Sequence, residues 1–354
     1  MEKTFGNFFE DKTILITGHT GFIGSWLSVL LIELGANIIG YALPPLTDQD
    51  NFVVTNLKEK LTNIIGDIRN YKKLKKVFLK YNPEIIFHLA AQPIVLDSYL
   101  FPRDTYDINI IGTVNVFELF RKTTDCKLLI NFTTDKVYEN RELGRSYKEN
   151  DSLGGYDPYS SSKACSELIT AAYRNSFFNN EKKVASIRCG NVIGGGDWQK
   201  YRIIPDCMRS IRNNHEIIIR HPHYVRPWQF IMEPLRGFVM LVKKIWENNS
   251  KFCGAWNFGP SESALHSVKD IVEKILHYLD EDDYKLKMLN NNKEQPHETK
   301  VLTIDSTKAY QFLGWKTVLN IDETIKYVCD WYREENLDFE FDVRQIKNYF
   351  KKVY

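Results

Sequence analysis

Several features are missing from this sequence of 354 residues, and each absence excludes a class of protein. No apolar run reaches the ~18 residues of a membrane-spanning helix, and residues 1–7 lack the apolar core and cleavage site of a signal peptide. The charges nearly balance, with 47 Lys+Arg against 45 Asp+Glu, whereas bulk nucleic-acid binding requires clustered basic charge. We therefore expect a cytoplasmic protein that binds neither membranes nor nucleic acids.

Paired cysteines are missing as well. The chain has no C-x-x-C pattern, and its six cysteines are scattered: Cys126, Cys165, Cys189, Cys207, Cys253 and Cys329. This spacing predicts reduced thiols rather than a disulfide framework or a zinc site. His221 and His223 form the one close histidine pair, and without neighbouring ligands we predict no metal site there.

Short apolar runs alternate with amphipathic helices through the first half of the chain. The runs fall at residues 13–17, 37–41, 64–65, 84–89, 127–132 and 184–188, and the clearest helices at 22–34, 104–121 and 158–178. Such alternation predicts an α/β fold in which helices cover both faces of a doubly wound parallel sheet. The rhythm breaks at residue 190, where we predict a loop over 190–197 and then a smaller C-terminal lobe.

A glycine-rich loop follows the first predicted strand and opens a predicted helix. Its glycines are Gly18, Gly21 and Gly24, at positions 1, 4 and 7. Glycine lets the backbone approach a pyrophosphate, whose charge then meets the amides of a helix N-terminus. Because strand, turn and helix come in this order, we interpret the loop as dinucleotide-binding rather than as an incidental turn.

The acid that usually follows such a loop is absent. A carboxylate at the end of the second strand would hold the ribose hydroxyls of NAD, but residues 40–43 read Gly-Tyr-Ala-Leu, and no arginine stands nearby to bind the phosphate of NADP. The residues alone therefore leave NAD and NADP open. Asp67, after the third strand, could accept a hydrogen bond from the adenine amino group or could cap a helix.

Tyr159 and Lys163 lie four residues apart on a predicted helix, and so on one face of it. An ordinary tyrosine, with a pKa of ~10, is a poor base at neutral pH. A lysine ammonium and a positively charged nicotinamide beside it would favour the phenolate. The tyrosine could then take the proton of a sugar hydroxyl while hydride leaves the same carbon.

A Thr134-Asp135-Lys136 turn follows the fifth predicted strand, at the edge where doubly wound sheets bind ligands. Thr134 could hydrogen-bond a substrate hydroxyl, and Asp135 could act as a general acid if a dry site kept it protonated. Lys136 could remove a proton only in its neutral form, which desolvation and nearby positive charge favour. The alternative is a strand-ending turn with a surface ion pair.

Together these motifs resemble the extended short-chain dehydrogenase/reductase superfamily and, within it, the nucleotide-sugar 4,6-dehydratases, most closely the branch that acts on CDP-glucose. The resemblance covers most of the chain. It is carried by six stretches, at residues 18–26, 88–92, 134–140, 154–163, 190–198 and 226–229.

The resemblance implies an NAD(P)-binding Rossmann domain over residues 1–190 and a substrate-binding lobe over 191–354, with some segments returning to the Rossmann domain. The implied cofactor is NAD, and NADP is not excluded. The implied cofactor-binding residues are Gly18, Thr20, Gly21, Phe22, Ile23, Gly24, Asp67, Ile68, Leu89, Ala90, Ala91, Tyr159 and Lys163. The implied catalytic residues are Thr134, Asp135, Lys136, Tyr159 and Lys163, and the implied substrate-binding residues are Gln92, Asn191 and Arg226. Of these, Asn191 and Arg226 would face the substrate diphosphate.

The resemblance also implies a lyase reaction with no net redox change. Tyr159, helped by Thr134 and Lys163, would remove the proton of the carbon-4 hydroxyl as hydride passes to NAD. The 4-ketone would acidify the carbon-5 hydrogen, and loss of that proton and of the carbon-6 hydroxyl, protonated by Asp135, would expel water. Hydride would return to carbon 6 and a proton to carbon 5, giving CDP-4-keto-6-deoxy-glucose, a product that implies deoxysugar biosynthesis such as that of lipopolysaccharide O-antigen.

One position departs from the broader family, in which a glutamate after Thr-Asp commonly removes the carbon-5 proton. Lys136 stands there, as in the CDP-glucose branch, so the identity of this base stays open. Three alternatives remain: a dehydratase of another nucleotide sugar (a GDP- or UDP-hexose, a heptose or an N-acetylhexosamine), a 4-epimerase, and a non-catalytic dinucleotide sensor. The resemblance further implies a homodimer or a dimer of dimers, formed by the helices over 104–121 and 159–178.

Overall fold

A computed structural model describes residues 5–141, 144–178, 181–261, 264–289 and 302–353. Its strands, in chain order, are β1 (Thr13–Thr17), β2 (Asn37–Ala42), β3 (Thr62–Ile65), β4 (Ile85–His88), β5 (Leu128–Phe132), β6 (Lys183–Arg188), β7 (Val192–Ile193), β8 (Ile217–Ile219), β9 (Val225–Pro227), β10 (Gln229–Phe230), β11 (Gly254–Asn257), β12 (Leu265–Ser267) and β13 (Leu286–Met288).

The α-helices of the same residues are α1 (Phe22–Glu33), α2 (Asn51–Val54), α3 (Tyr71–Tyr81), α4 (Val95–Leu100), α5 (Pro102–Tyr106), α6 (Gly112–Lys122), α7 (Pro158–Phe177), α8 (Ile203–Arg212), α9 (Met232–Asn248), α10 (Val268–Tyr278), α11 (Thr307–Leu313), α12 (Ile321–Arg333) and α13 (Phe339–Val353). None of them is both long enough and apolar enough to cross a bilayer.

Seven parallel strands form the central sheet, in the order β11-β6-β5-β4-β1-β2-β3. This order confirms the predicted doubly wound α/β fold of the Rossmann type. Strand β11 comes from the C-terminal half and pairs with β6 at the sheet edge. A segment beyond residue 190 thus returns to the N-terminal sheet.

Alternate residues of the strands supply two separate layers of core. Ile14 and Ile16 of β1 face the layer that contains Trp26 of α1 and Phe238 of α9. Leu15 faces the opposite layer, which includes Phe117 of α6. Side chains alternate along a strand, so a strand made of consecutive apolar residues is buried on both faces of the sheet. These continuous apolar runs are what made the strands predictable from the sequence.

The C-terminal helix closes the first of these layers. Its residues Val343, Ile346 and Phe350 are buried, and the Phe350 ring packs edge-on against Phe5, with 6.0 Å between centroids. The two ends of the described chain therefore meet in one core.

Two predicted elements differ in detail. The helix expected over 104–121 is a continuous helical stretch that runs from α5 to α6. Between them lies a π-helical segment, Asp107–Ile111, in which the backbone hydrogen bonds span one residue more than in an α-helix. The loop expected over 190–197 contains β7, which pairs in parallel with β10. A two-residue strand is too short to leave a periodic signal in the sequence.

Trp26 anchors the first core layer to the lobe. Its ring is fully buried and its indole Nε1 donates to the carbonyl of Gly195, 2.9 Å away. Trp26→Ala should therefore lower the free energy of unfolding by about 3–5 kcal/mol, measured by urea denaturation. Phe312→Ala is the matched control, because this ring is 50% exposed and should change stability by less than about 0.5 kcal/mol. Equal losses in the two variants would contradict the assignment.

Candidate active site

A large cavity opens where the strands of the central sheet end, between the sheet and the segments that follow residue 190. Its volume is about 1290 Å³, more than the roughly 300–1,000 Å³ of a pocket for one small ligand. It is lined by all of the site residues predicted from the sequence: Gly18, Thr20, Gly21, Phe22, Ile23, Gly24, Asp67, Ile68, Leu89, Ala90, Ala91, Gln92, Thr134, Asp135, Lys136, Tyr159, Lys163, Asn191 and Arg226. The cavity thus has room for a dinucleotide and a second ligand together.

The glycine loop between β1 and α1 cannot carry side chains at its key positions. Gly18 has a φ of +81°, and a Cβ there would lie 2.8 Å from the amide nitrogen of Ala90. A Cβ on Gly24 would lie 2.1 Å from the Gly18 carbonyl oxygen. With glycine at both positions, the backbone can turn tightly against the N-terminus of α1, as binding of a pyrophosphate requires.

The histidine in this loop is a structural group. The Nε2 atom of His19 is 2.8 Å from the Asn63 side-chain oxygen, and the ring fills the space beside Gly40, where a Cβ would lie 2.3 Å from it. Burial lowers the pKa of His19 to about 4. The imidazole is therefore neutral at physiological pH, and the loop offers an anion its backbone amides rather than a charged side chain.

The rim that would hold the adenosine half of a dinucleotide is apolar. Residues 42–46, Ala-Leu-Pro-Pro-Leu, all line the cavity, and none of them carries a charge. Asp67 lies across from them, and its carboxylate accepts a hydrogen bond from the Arg69 guanidinium at 2.7 Å. That contact lowers the pKa of Asp67. The alternative role of Asp67 as a helix cap is wrong, because Asn70 caps α3 by accepting from the Lys73 amide.

Tyr159 and Lys163 lie in the first two turns of α7, which begins at Pro158 and is capped by Asp157. Burial raises the pKa of Tyr159 to about 12, opposed by a hydrogen bond with Thr134 and by the charge of Arg202. Burial also lowers the pKa of Lys163 to about 8, and its ammonium donates to the Phe132 carbonyl at 3.0 Å. In this structure the charge of Arg202 favours the phenolate.

The side chain of Asp135, at the wall of the cavity, is fixed by hydrogen bonds to both of its carboxylate oxygens. It is buried, one carboxylate oxygen accepts from the Thr134 hydroxyl at 2.9 Å, and the other accepts from the Asn191 amide at 3.3 Å. A Cβ on Gly190 would lie 2.0 Å from this carboxylate, so the backbone beside it must be glycine. The Asn191 amide is thus directed at Asp135, whereas the sequence placed it on the diphosphate.

The other predicted substrate residues are also engaged. The Gln92 amide nitrogen donates to the Thr105 hydroxyl at 2.9 Å, which fixes its side chain against α5. Arg226 is buried, with its guanidinium 5.3 Å from the centre of the Tyr224 ring. A cation held this way at the wall of the cavity suits an anionic ligand.

Arg202 is the site residue that sequence reasoning missed. It lies just before α8, lines the cavity, and pairs with Asp197 at 2.7 Å. Asp197 belongs to one of the motifs, at residues 190–198, but Arg202 follows that motif and no spacing rule links the two. Their pairing, which brings a cation to face Tyr159, depends on how the lobe folds back over the sheet.

Comparison with known proteins identifies the family of this chain. A model of the family described as GDP-mannose 4,6 dehydratase matches residues 15–328. The chain belongs to this family. The resemblance inferred from the sequence motifs is confirmed.

Proteins similar to this chain in sequence or structure include dehydratases and epimerases. The chain is 43% identical to a CDP-glucose 4,6-dehydratase from Salmonella typhimurium over 333 residues, which is 92% of each chain. It also resembles a dTDP-glucose 4,6-dehydratase structure from Streptomyces venezuelae (TM-score 0.78, 21% identity, 91% of this chain and 97% of the other). A UDP-glucose 4-epimerase structure from Stenotrophomonas maltophila is similar (TM-score 0.78, 19% identity, 91% and 98%). These two structures support the fold.

Gly24 tests whether the loop binds a dinucleotide. Gly24→Ala should weaken NAD binding at least about tenfold, or ~1.4 kcal/mol, because the new Cβ would force the turn away from Gly18. Calorimetric titration would measure the affinity. Ser28→Ala, one turn further along α1, removes only a hydroxyl bonded to the Gly24 carbonyl and should retain affinity. Unchanged binding in Gly24→Ala would exclude this loop as the site.

Proposed function

We propose that this chain is a CDP-glucose 4,6-dehydratase. The observation that carries the proposal is the position of Thr134, whose hydroxyl donates to the Asp135 carboxylate at 2.9 Å and which neighbours the Tyr159 phenol. Thr134 therefore lies between the proposed base for oxidation, Tyr159, and the proposed acid for elimination, Asp135. That arrangement suits chemistry on carbons 4 to 6 of one hexose ring. The 43% identity to a CDP-glucose 4,6-dehydratase supports CDP-glucose as the substrate.

The cofactor is NAD, which neighbouring dehydratase structures contain. The glycine loop and the amides around Leu89 and Ala90 would hold its pyrophosphate, and the ionised Asp67 would accept from the adenine amino group. The apolar stretch 42–46 offers no cation for the additional phosphate of NADP. When bound, NAD supplies reversible acceptance of two electrons from the sugar.

The side chains would divide the proton transfers among them. Tyr159 takes the proton of the carbon-4 hydroxyl, with Thr134 and the charge of Arg202 beside the phenol and Lys163 one turn further along α7. Asp135, buried between Thr134 and Asn191, protonates the carbon-6 hydroxyl as it leaves. Lys136, half-buried and next to Asp135 at the cavity wall, removes the carbon-5 proton and later returns one.

A 4-epimerase shares the fold but needs only the oxidising half of this set. The orientation of Asp135 by three neighbours, including a glycine required at residue 190, would then have no use. A dinucleotide sensor would need neither half. The elimination chemistry therefore explains more of the site than either alternative.

The rest of the setting follows from the same assignment. Arg226 binds the diphosphate of the nucleotide sugar. The product, a 4-keto-6-deoxy sugar nucleotide, belongs to deoxysugar biosynthesis, including that of lipopolysaccharide O-antigen. The six free cysteines support a cytoplasmic location.

The function is tested by offering the enzyme a panel of nucleotide sugars in deuterated water. CDP-glucose should lose the mass of one water and gain one solvent deuteron at carbon 5, as followed by mass spectrometry and NMR. Preferred turnover of a UDP- or GDP-sugar would reassign the substrate. Inversion at carbon 4 without loss of water would identify an epimerase, and recovery of every sugar unchanged would favour a sensor.

Two variants separate oxidation from elimination. Tyr159→Phe should reduce carbon-4 oxidation by about 10²–10⁴-fold, as loss of a general base does. Asp135→Asn should still oxidise carbon 4 but stall before water leaves, so that near-ultraviolet absorbance of reduced nicotinamide accumulates in a stopped-flow measurement. Tyr201→Phe, another tyrosine of the cavity wall, should behave like the wild type. Elimination at the normal rate in Asp135→Asn would refute the role of Asp135.

We also propose that the chain forms a homodimer, alone or as half of a dimer of dimers, through the face of helices α4 to α7. Apolar side chains on this face are unusually exposed: Leu100 is 67% exposed, Ile111 50% and Leu168 57%. Such patches mark protein–protein contacts. Tyr106 and Ser161 hydrogen-bond at 2.8 Å, which joins the helices into one surface.

The dimer is tested by placing a charge in this face. Leu168→Arg should shift the mass measured by light scattering to that of a monomer, because an arginine would be buried without a partner. Leu79→Arg, on α3 and 71% exposed, should leave the oligomer intact. Dissociation in both variants, or in neither, would argue against this interface.

A further inference from the structure

A buried ion pair lies directly behind the active site and has no part in the mechanism above. The carboxylate of Glu167 and the guanidinium of Arg188 are 2.8 Å apart, and their side chains are 3% and 4% exposed. Glu167 follows Lys163 by four residues on α7, so both project from the same face of the helix. Burying two charges is costly, which raises the question of what this pair does.

The carboxylate of Glu167 is anchored by three donors. It accepts from the hydroxyl of Thr133 at 2.5 Å, from the hydroxyl of Ser186 at 2.7 Å and from Arg188. The hydrogen bonds and the charge of Arg188 lower the pKa of Glu167 against the opposing effect of burial. The carboxylate is therefore ionised at neutral pH and fixed to the ends of β5 and β6.

The ammonium of Lys163 meets the same strand end. It donates to the carbonyl of Phe132, and the next residue, Thr133, is the one that binds Glu167. The negative charge and the ammonium thus bind consecutive residues, the last residue of β5 and the one that follows it. Arg188 also donates to the Tyr138 hydroxyl at 2.9 Å, which fixes its guanidinium on both Glu167 and Tyr138.

Titratable and charged groups surround Lys163 from each element packed against it. They are Tyr159 and Glu167 on α7, His88 on β4, Asp135 after β5, Arg188 and Cys189 at the end of β6, and Arg202 from the lobe. Burial lowers the pKa of His88 to about 3 and raises that of Cys189 well above its usual value. Both are neutral at physiological pH. Glu167 is therefore the ionised group whose field acts to keep Lys163 charged.

We propose that Glu167 is a positioning residue of the reaction: its carboxylate, fixed by Arg188, Ser186 and Thr133, keeps the Lys163 ammonium charged and seated on the Phe132 carbonyl. The proposal rests on the proposed function for the roles of Lys163 and Tyr159. The ion pair would then be retained for the charge state of the site rather than for stability. Removing it should change how the site responds to pH.

The direction of that change follows from the charges. Burial already lowers the pKa of Lys163 to about 8, and Glu167 acts in the opposite sense. Without the carboxylate the pKa falls further, so the ammonium is lost at a lower pH. The alkaline limb of the pH–rate profile should then move toward neutrality.

The experiment uses a double variant, Glu167→Gln with Arg188→Met, which removes both charges and leaves none unpaired. Competitive acylation of lysines over a pH series, with peptide mass spectrometry, reports the titration midpoint of Lys163 without substrate. We expect this midpoint to fall by about one pH unit, the size of a nearby-charge effect. The alkaline limb of kcat/KM should shift by the same amount.

The chain offers a matched control. Glu233 and Arg236 on α9 form another buried pair, 3.7 Å apart with side chains 1% and 4% exposed, and neither residue lines the cavity. Glu233→Gln with Arg236→Met should cost stability but leave the Lys163 midpoint unchanged. Glu167→Asp, which retains the charge, should also preserve the midpoint.

An unchanged Lys163 midpoint in the double variant, or an equal shift in the control, would overturn the proposal. If the double variant does not fold, Arg188→Met alone provides the test, because Lys163 then becomes the nearest cation to Glu167 and its midpoint should rise. A fall or no shift in that variant would equally refute the role. Because the labelling needs no substrate, its outcome is independent of whether wild-type enzyme dehydrates CDP-glucose.

Discussion

The active site depends on how the chain leaves β5. Within four residues, Phe132 offers its carbonyl to Lys163, Thr133 binds Glu167, and Thr134 contacts both Tyr159 and Asp135. Carbonyls and side chains alternate here because an extended chain directs successive groups to opposite sides. The end of β5 thereby positions the side chains on both of its sides, and any shift of β5 would disturb all of these contacts together.

The electrostatics of the site follow from its dryness. Tyr159, Lys163, Asp135 and Arg202 share a cavity wall in which burial is the largest influence on the pKa of both Tyr159 and Lys163. Burial raises the pKa of the phenol to about 12 and lowers that of the ammonium to about 8, so the two values move apart. Burial thus favours the neutral form of each group, and the charges placed around them decide how readily the phenol gives up its proton.

Much of this could be predicted from the sequence, for identifiable reasons. The parallel sheet was predictable because its strands are buried on both faces and read as continuous apolar runs. The glycine loop and the pair Tyr159 and Lys163 were predictable because their spacing is local. Arg202 was not, since its role depends on the lobe folding back over the sheet. The direction of the Asn191 amide depends likewise on a left-handed backbone, with a φ of +51°, that composition does not reveal.

Because α13 completes the hydrophobic core, its place in the chain affects how the protein folds during synthesis. Phe350 of α13 packs against the aromatic cluster at Phe5, in the same core layer as α1. A ribosome-bound chain that has completed β1 to β6 still lacks α13, so this part of the apolar core stays accessible until α13 emerges. Native packing of the cluster at Phe5 therefore follows the synthesis of α13, and the exposed apolar surface is prone to association until then.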